Sequence, residues 1–126
     1  MRILHTMIRV SNLEKSLDFY LNMLGMNLIK RKDYEHGKFT LAFVGYGLEE
    51  NAAMIELTYN WGVNNYLKGD GFGHIAIGVK DIQHLCKNLS KKGCKILREP
   101  GPIKNSNSIL AFIEDPDGYK IELIEK

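Results

Sequence analysis

The sequence predicts an α+β fold built from two βαβββ modules, and three observations predict it. The first is an internal repeat. His5-Thr-Met-Ile-Arg-Val10 lies over His74-Ile-Ala-Ile-Gly-Val79 at a shift of 69 residues (5 to 74), and Leu41-Ala-Phe-Val44 over Leu110-Ala-Phe-Ile113 at the same shift. Ile55-Glu-Leu57 then matches Ile121-Glu-Leu123 at a shift of 66 (55 to 121), so the second copy is shorter in one connection, a change that loops absorb readily. The second is that hydrophobic periodicity in each copy reads strand, helix, then strands. The third is that short turns separate the later strands, which implies antiparallel or mixed sheets with the helix on one face. The expected organisation is a single domain over 1–126, with module one at 1–66, a linker at 67–70 and module two at 71–126.

Each element has its own justification. Residues 2–10 alternate, placing Ile3, His5, Met7 and Arg9 on one face and Leu4, Thr6, Ile8 and Val10 on the other. Ser11-Asn12 supplies a helix N-cap, with Glu14 available for a capping box if Ser11 is the cap. Leu13, Leu17, Tyr20 or Leu21, and Leu24 follow at helical spacing, and Gly25 ends the run. Strands are expected near 28–34, 39–46 and 52–59, separated by Glu35-His36-Gly37 and a loop over Gly47–Asn51. Module two repeats the pattern. A strand at 73–79 leads to Asp81 as N-cap and to apolar Ile82, Leu85 and Leu89, before Lys92-Gly93 closes the helix. Strands follow near 95–98 and 109–114, and Asp115-Pro-Asp-Gly118 turns the chain into a last strand at 119–124.

Composition narrows the classes of function. With 44% hydrophobic and 25% charged residues the chain has the balance of an ordinary globular domain. A net charge of +2, with no basic run longer than Lys30-Arg31-Lys32, gives no reason to expect nucleic acid or an anionic membrane as partner. No apolar stretch approaches the ~20 residues that span a bilayer, and the start of the chain has no signal-peptide pattern. Cys86 and Cys94 do not form a CxxC motif, which points to reduced thiols and a cytoplasmic location. Cys86 falls on the apolar side of its helix and is expected to pack.

The repeat also places chemistry. Each module carries one histidine in its first strand and one glutamate in its last, His5 with Glu56 and His74 with Glu122. A lone strand histidine is usually packed or at the surface, and a lone strand glutamate usually faces water. Here both types recur in register, and each glutamate sits inside an apolar Ile-Glu-Leu run. If the inward faces of the two sheets share a cavity, two imidazoles and two carboxylates form a mixed nitrogen and oxygen set suited to a divalent first-row metal. Two carboxylates balance a dication, which lets such a site survive in a partly dry cavity. His36 and His84 have no counterparts in the opposite module and are expected to face solvent.

Longer stretches carry a resemblance. Leu4-His-Thr-Met-Ile-Arg-Val10, Ser16-Leu-Asp-Phe-Tyr20, Leu24-Gly-Met26 and Leu41-Ala-Phe-Val-Gly-Tyr-Gly47 resemble glyoxalase I of the vicinal oxygen chelate superfamily. So do Ile55-Glu-Leu-Thr-Tyr-Asn-Trp-Gly62, Gly73-His-Ile-Ala76 and Glu114-Asp-Pro-Asp-Gly-Tyr-Lys-Ile-Glu-Leu123. The resemblance implies paired modules forming a half-open barrel, a homodimer, and His5, Glu56, His74 and Glu122 as metal ligands. It further implies that Arg9 and Asn60 hold the γ-glutamyl end of glutathione. Each lies four residues beyond a ligand of its own strand, so alternation returns it to that ligand's face. Arg98 and Lys104 lie where the family holds the glycyl carboxylate, in a loop that varies. Longer eukaryotic members have an arginine four residues before the second histidine, where this chain has Asp70. The chain thus resembles the short bacterial type, which favours nickel or cobalt over zinc.

The implied reaction isomerises the hemithioacetal of methylglyoxal and glutathione to S-lactoylglutathione through an ene-diolate. Glu122 carries the proton and Glu56 is the alternative base for the opposite face. No net redox change occurs, and no nucleotide cofactor is expected, in keeping with the lack of a phosphate-cradling glycine loop. Three other readings share the fold. Acyl-CoA epimerases usually carry glutamine at the position of Glu56, extradiol dioxygenases normally need more than two modules, and drug-sequestering proteins often lack the four ligands.

Overall fold

The computed structural model describes residues 1–48, 51–104 and 106–126. The expected loop over Gly47–Asn51 therefore includes Glu49 and Glu50, which lie outside the described residues. The chain divides into two compact units, Met1–Leu67 and Lys68–Lys126, each with its own sheet.

In the first unit β1 (His5–Arg9) leads to α1 (Leu13–Leu17), then β2 (Asn27–Tyr34), β3 (Phe39–Gly45) and β4 (Met54–Asn60). The sheet order is β1-β4-β3-β2, with β1 parallel to β4 and the other pairs antiparallel. Asn12, not Ser11, caps α1, its side chain accepting from Lys15 N at 3.0 Å. The expected helix over 13–24 is only α-helical to Leu17. It widens over Asp18–Met23 into a π-helical turn, in which Leu24 N donates to Phe19 O at 3.0 Å. A π turn rotates each residue less about the axis than an α turn does. Two consecutive aromatics, Phe19 (3% exposed) and Tyr20 (fully buried), are thereby both taken into the core. Gly25, at φ +72°, ends the segment in a conformation that costs a side-chain-bearing residue energy.

Alternation separates the two faces of this sheet. Ile8, Val10, Ala42, Val44, Ile55 and Leu57 are buried on the helix side with Leu13, Leu17 and Tyr20. His5, Met7 and Arg9 are exposed on the other. β1 is shorter than the expected 2–10: its ladder with β4 begins at the His5–Met54 pair, and the Met54 N–H donates to Leu4 O.

The second unit repeats the arrangement with β5 (Ile75–Val79), α2 (Ile82–Lys91), β6 (Lys95–Pro102), β7 (Ile109–Glu114) and β8 (Lys120–Glu125) in the order β5-β8-β7-β6. Again the first and last strands are parallel and the rest antiparallel. Asp81 caps α2 by accepting from His84 N at 3.0 Å. Ile82, Cys86 and Leu89 bury against a sheet face that includes Ala111, Ile113, Ile121 and Leu123. β6 runs past the expected 98 to Pro102, with register shifts on both sides of Arg98. Buried Asp115 builds the turn into β8, its Oδ1 accepting from Asp117 N at 2.9 Å and Tyr119 N at 2.8 Å, with Gly118 at φ +85°. This turn fixes the register that puts Ile121 and Leu123 in the core and Glu122 on the opposite face. The α+β class and the βαβββ order of both modules are as the repeat predicts. Among the described residues no helix is long and apolar enough to cross a membrane.

Candidate metal and substrate site

Strand geometry brings the histidine and glutamate of each module together. In the first unit His5 Nε2 lies 2.9 Å from Glu56 Oε2, with the side chains 36% and 14% exposed. In the second, His74 Nε2 lies 3.1 Å from Glu122 Oε2, at 43% and 15%. His5 opens β1 beside Glu56 on the parallel strand β4, whereas His74 lies one residue before β5, which begins at Ile75 and not at the expected 73, beside Glu122 on β8; both glutamates are on the sheet face turned away from the helix. Each imidazole also meets a phenylalanine edge-on. The His5 ring lies 5.4 Å from Phe43 at 75°, and the His74 ring 5.5 Å from Phe112 at 73°. Phe43 is the cross-strand partner of Glu56 and Phe112 that of Glu122, so the same three residue types recur at the same register. An aromatic edge against one side of an imidazole restricts its plane and keeps Nε2 toward the carboxylate.

The donor chemistry fits a divalent ion. An imidazole nitrogen beside a carboxylate oxygen is a mixed N/O set that first-row divalent metals accept. Partial burial leaves room for a further ligand. Among the described residues no third His, Cys, Asp or Glu joins the pair within either unit.

Around the first pair stand the other candidates. Arg9 is exposed on the His5 face of β1, opposite Thr58. Thr58 Oγ1 donates to Glu56 Oε1 at 3.0 Å. Asn60, at the end of β4, has its Nδ2 donating to Tyr66 OH at 3.1 Å. The chain beyond is pinned by Trp61, whose N–H donates to Lys38 O at 2.9 Å and whose Nε1 donates to Thr40 Oγ1 at 2.9 Å. Thr40 in turn donates to Asp33 Oδ1 at 2.7 Å.

The second unit surrounds its pair differently. Arg98 is exposed on β6, with Nη2 donating to the carbonyl of Pro102 at 2.9 Å, and Lys104 is exposed in the following turn. Neither makes a hydrogen bond or ion pair with His74 or Glu122. His36 and His84 are exposed, and the His84 ring bonds only locally, to Asn88 at 2.9 Å. Both cysteines are free thiols. Burial raises the pKa of Cys86, with Glu99 adding to the shift, and burial pushes Cys94 up to about 11, reinforced by Cys86. Neutral, packed thiols of this kind are poor nucleophiles.

Phe43, Phe112, Thr58 and Tyr66 were not legible as site residues from spacing alone. The two phenylalanines nevertheless sit inside the repeated Leu-Ala-Phe segments, which was the available signal.

Two modules of this topology, each ending in a histidine–glutamate pair, define a class, and comparison with known proteins agrees. The family model described as the Glyoxalase/Bleomycin resistance protein/Dioxygenase superfamily matches residues 2–123. A probable lactoylglutathione lyase of Synechocystis sp. is 61% identical over 99% of this chain and 95% of its own. The lactoylglutathione lyase of Neisseria meningitidis serogroup A is 56% identical over 100% of this chain and 91% of its own. Glyoxalase I from Zea mays superposes with a TM-score of 0.96 at 45% identity, covering 99% of this chain and 44% of the maize chain. The chain belongs to that superfamily and, within it, to the lactoylglutathione lyases (glyoxalase I) of the short bacterial type. It is an enzyme of that activity.

Proposed function

We propose that the chain isomerises the methylglyoxal–glutathione hemithioacetal to S-lactoylglutathione on a site formed by His5, Glu56, His74 and Glu122. The observation that carries this reading is the same His–Glu pair, at the start of the first strand and within the last, in both units. The two modules act as one functional domain over 1–126. The functional unit is a homodimer, a reading supported by exposed Ile3 and Leu4 just before the edge strand β1 and exposed Met7 on it. Two unpaired thiols support a cytoplasmic location.

The four residues would hold one divalent cation, nickel or cobalt in preference to zinc by analogy with the short bacterial type. When bound, it would supply Lewis-acid stabilisation of the negative charge that develops on the two substrate oxygens. The chain's own residues do the rest. Glu122 takes the proton from the hemithioacetal carbon, the electron pair moves toward the adjacent carbonyl to give an ene-diolate, and Glu122 returns the proton to the neighbouring carbon as the hydroxyl proton of the first carbon passes to the oxygen of the second, leaving the thioester carbonyl. Glu56 is the alternative base for the opposite face, a role that first requires it to leave the bonds it makes with His5 and Thr58. Arg9 offers a cation to the γ-glutamyl carboxylate. With Nδ2 engaged by Tyr66, Asn60 keeps Oδ1 free to accept from the γ-glutamyl ammonium. Arg98 and Lys104 are the cations available for the glycyl carboxylate. Arg98 spends one donor on Pro102 and retains others.

The test is direct. Protein loaded with nickel or cobalt, given methylglyoxal and glutathione, should raise thioester absorbance. A chelator should abolish the rise, and nickel or cobalt should restore it more fully than zinc. Tight binding of the adduct with no thioester under any metal would instead identify a sequestering protein.

A further inference from the structure

The two half-sites are built alike but held differently. Glu56 has both carboxylate oxygens engaged, Oε2 with His5 and Oε1 with the Thr58 hydroxyl at 3.0 Å. Thr58 lies two residues along β4 on the face of Glu56 and is only 8% exposed, so water competes weakly for its hydroxyl. In the second unit the repeat aligns Thr58 with Ile124, two residues beyond Glu122 on β8, and isoleucine offers no donor. Among the described residues, Glu122 has His74 as its hydrogen-bond or ion-pair partner and no second one. Burial does not separate the two carboxylates, which are 14% and 15% exposed. The threonine is the difference.

We propose that Thr58 is a positioning residue that locks Glu56 as a static ligand, and that isoleucine in the duplicate position frees Glu122 to swing and carry the proton. The inference rests on the reading given under Proposed function and explains why the duplicated glutamates take different roles. A proton-carrying carboxylate must rotate between its ligand position and the substrate carbon. One with both oxygens bonded must first break a bond. The tether is stiff as well as short, because a β-branched side chain has few χ1 states and loses little freedom in holding its hydroxyl in place.

Exchanging the residues tests this. Ile124→Thr places a donor beside Glu122 and should lower kcat by about tenfold or more, the scale on which general acid–base groups act, while KM stays within about threefold. Thr58→Val should weaken nickel binding severalfold in a competition titration against a chromogenic chelator. Nickel-loaded Glu122→Gln/Thr58→Val should turn over about tenfold faster than Glu122→Gln alone, because the released Glu56 takes up the proton. Two results overturn the proposal. One is Ile124→Thr with wild-type kcat when a crystal structure shows its hydroxyl on Glu122. The other is a double variant no faster than Glu122→Gln, which decides the matter if the hydroxyl points elsewhere. An unchanged nickel affinity in Thr58→Val also counts against the tether. This arm reads out even if the wild-type protein, loaded with metal, makes no thioester, a result that would sink the proposed substrate and leave the tether standing.

Discussion

Glutamine at position 122 is the sharpest perturbation of the proposed chemistry. It preserves the volume of the side chain and an acceptor for His74, now 3.1 Å from the carboxylate, and removes only the capacity to take a proton. The His74 ring is 43% exposed, so weakening this pair should cost less than about 1 kcal/mol of stability, shifting Tm by no more than a few degrees. A positioned general base contributes about 10²–10⁴ in rate, equivalent to about 3–5 kcal/mol of barrier. The expected loss lies in the upper part of that range, since the only equivalent carboxylate, Glu56, is tied to Thr58. The assay is the initial rate of thioester formation at saturating nickel, with bound metal measured on the same sample and Tm checked by calorimetry. A variant that retains metal, folds normally and keeps kcat within about threefold of wild type would move the base to another residue.

Other predictions address binding and stability. Arg9→Ala should raise KM for the glutathione adduct by about 10–100-fold, as expected for one charge-assisted hydrogen bond, with kcat little changed; an unaltered KM removes Arg9 from the binding site. Tyr66→Phe leaves the Asn60 amide without its partner and should raise KM severalfold, an effect that steady-state kinetics at fixed metal would reveal. Thr40→Val removes the hydroxyl, 4% exposed, that joins exposed Asp33 to the Trp61 indole, and should destabilise the protein by about 1–2 kcal/mol in urea unfolding. For the thiols, folding raises the pKa of Cys94 from 9.0 to about 11, so its neutral form is favoured in the native state. That contribution to stability is fully present below pH 9 and lost as pH rises toward about 11. Native-state alkylation of Cys94 should correspondingly keep accelerating above pH 9, and a plateau at pH 9 would mean its burial is transient.

The repeat exposed the fold early because duplication turns weak local signals into paired ones. An alternating strand carrying a histidine is ambiguous alone, and so is a glutamate in an apolar run. Their recurrence at fixed shifts fixes both the module order and the residues that meet. What stayed hidden depends on geometry that pattern does not encode. Whether Ser11 or Asn12 caps α1 turns on one backbone conformation, and it is Asn12 that takes the extended one, at φ −144°. The π turn over Asp18–Met23 looks helical in spacing, and only the burial of adjacent Phe19 and Tyr20 gives it away. Tyr66 reaches Asn60 through a loop whose path no periodicity describes. Thr58 was in plain view within Ile55-Glu-Leu-Thr58, but attention to what the copies share passes over a position where they differ.

Those differences are where the substrate's own asymmetry must be met. Arg9 and Asn60 flank the first pair, and at the duplicated positions of the second stand Gly78 and Lys126. A Cβ built on Gly78 would come within 3.3 Å of Lys126 Cγ, so the lysine stem packs over the glycine and would have to shift slightly for any side chain there. The first pair thus has a guanidinium, a carboxamide and a Thr58-bonded carboxylate beside it, and the second a glycine under a lysine stem and a carboxylate bonded to His74. A symmetric pair of ligands suffices to hold a cation, which has no direction. A thiol adduct with a single amino-acid end and one acidic C–H has direction, and two identical halves would bind it in either sense. On the proposed reading, divergence at three positions of the duplicated frame breaks that degeneracy, setting which end of the ligand is gripped and which carboxylate is left to move.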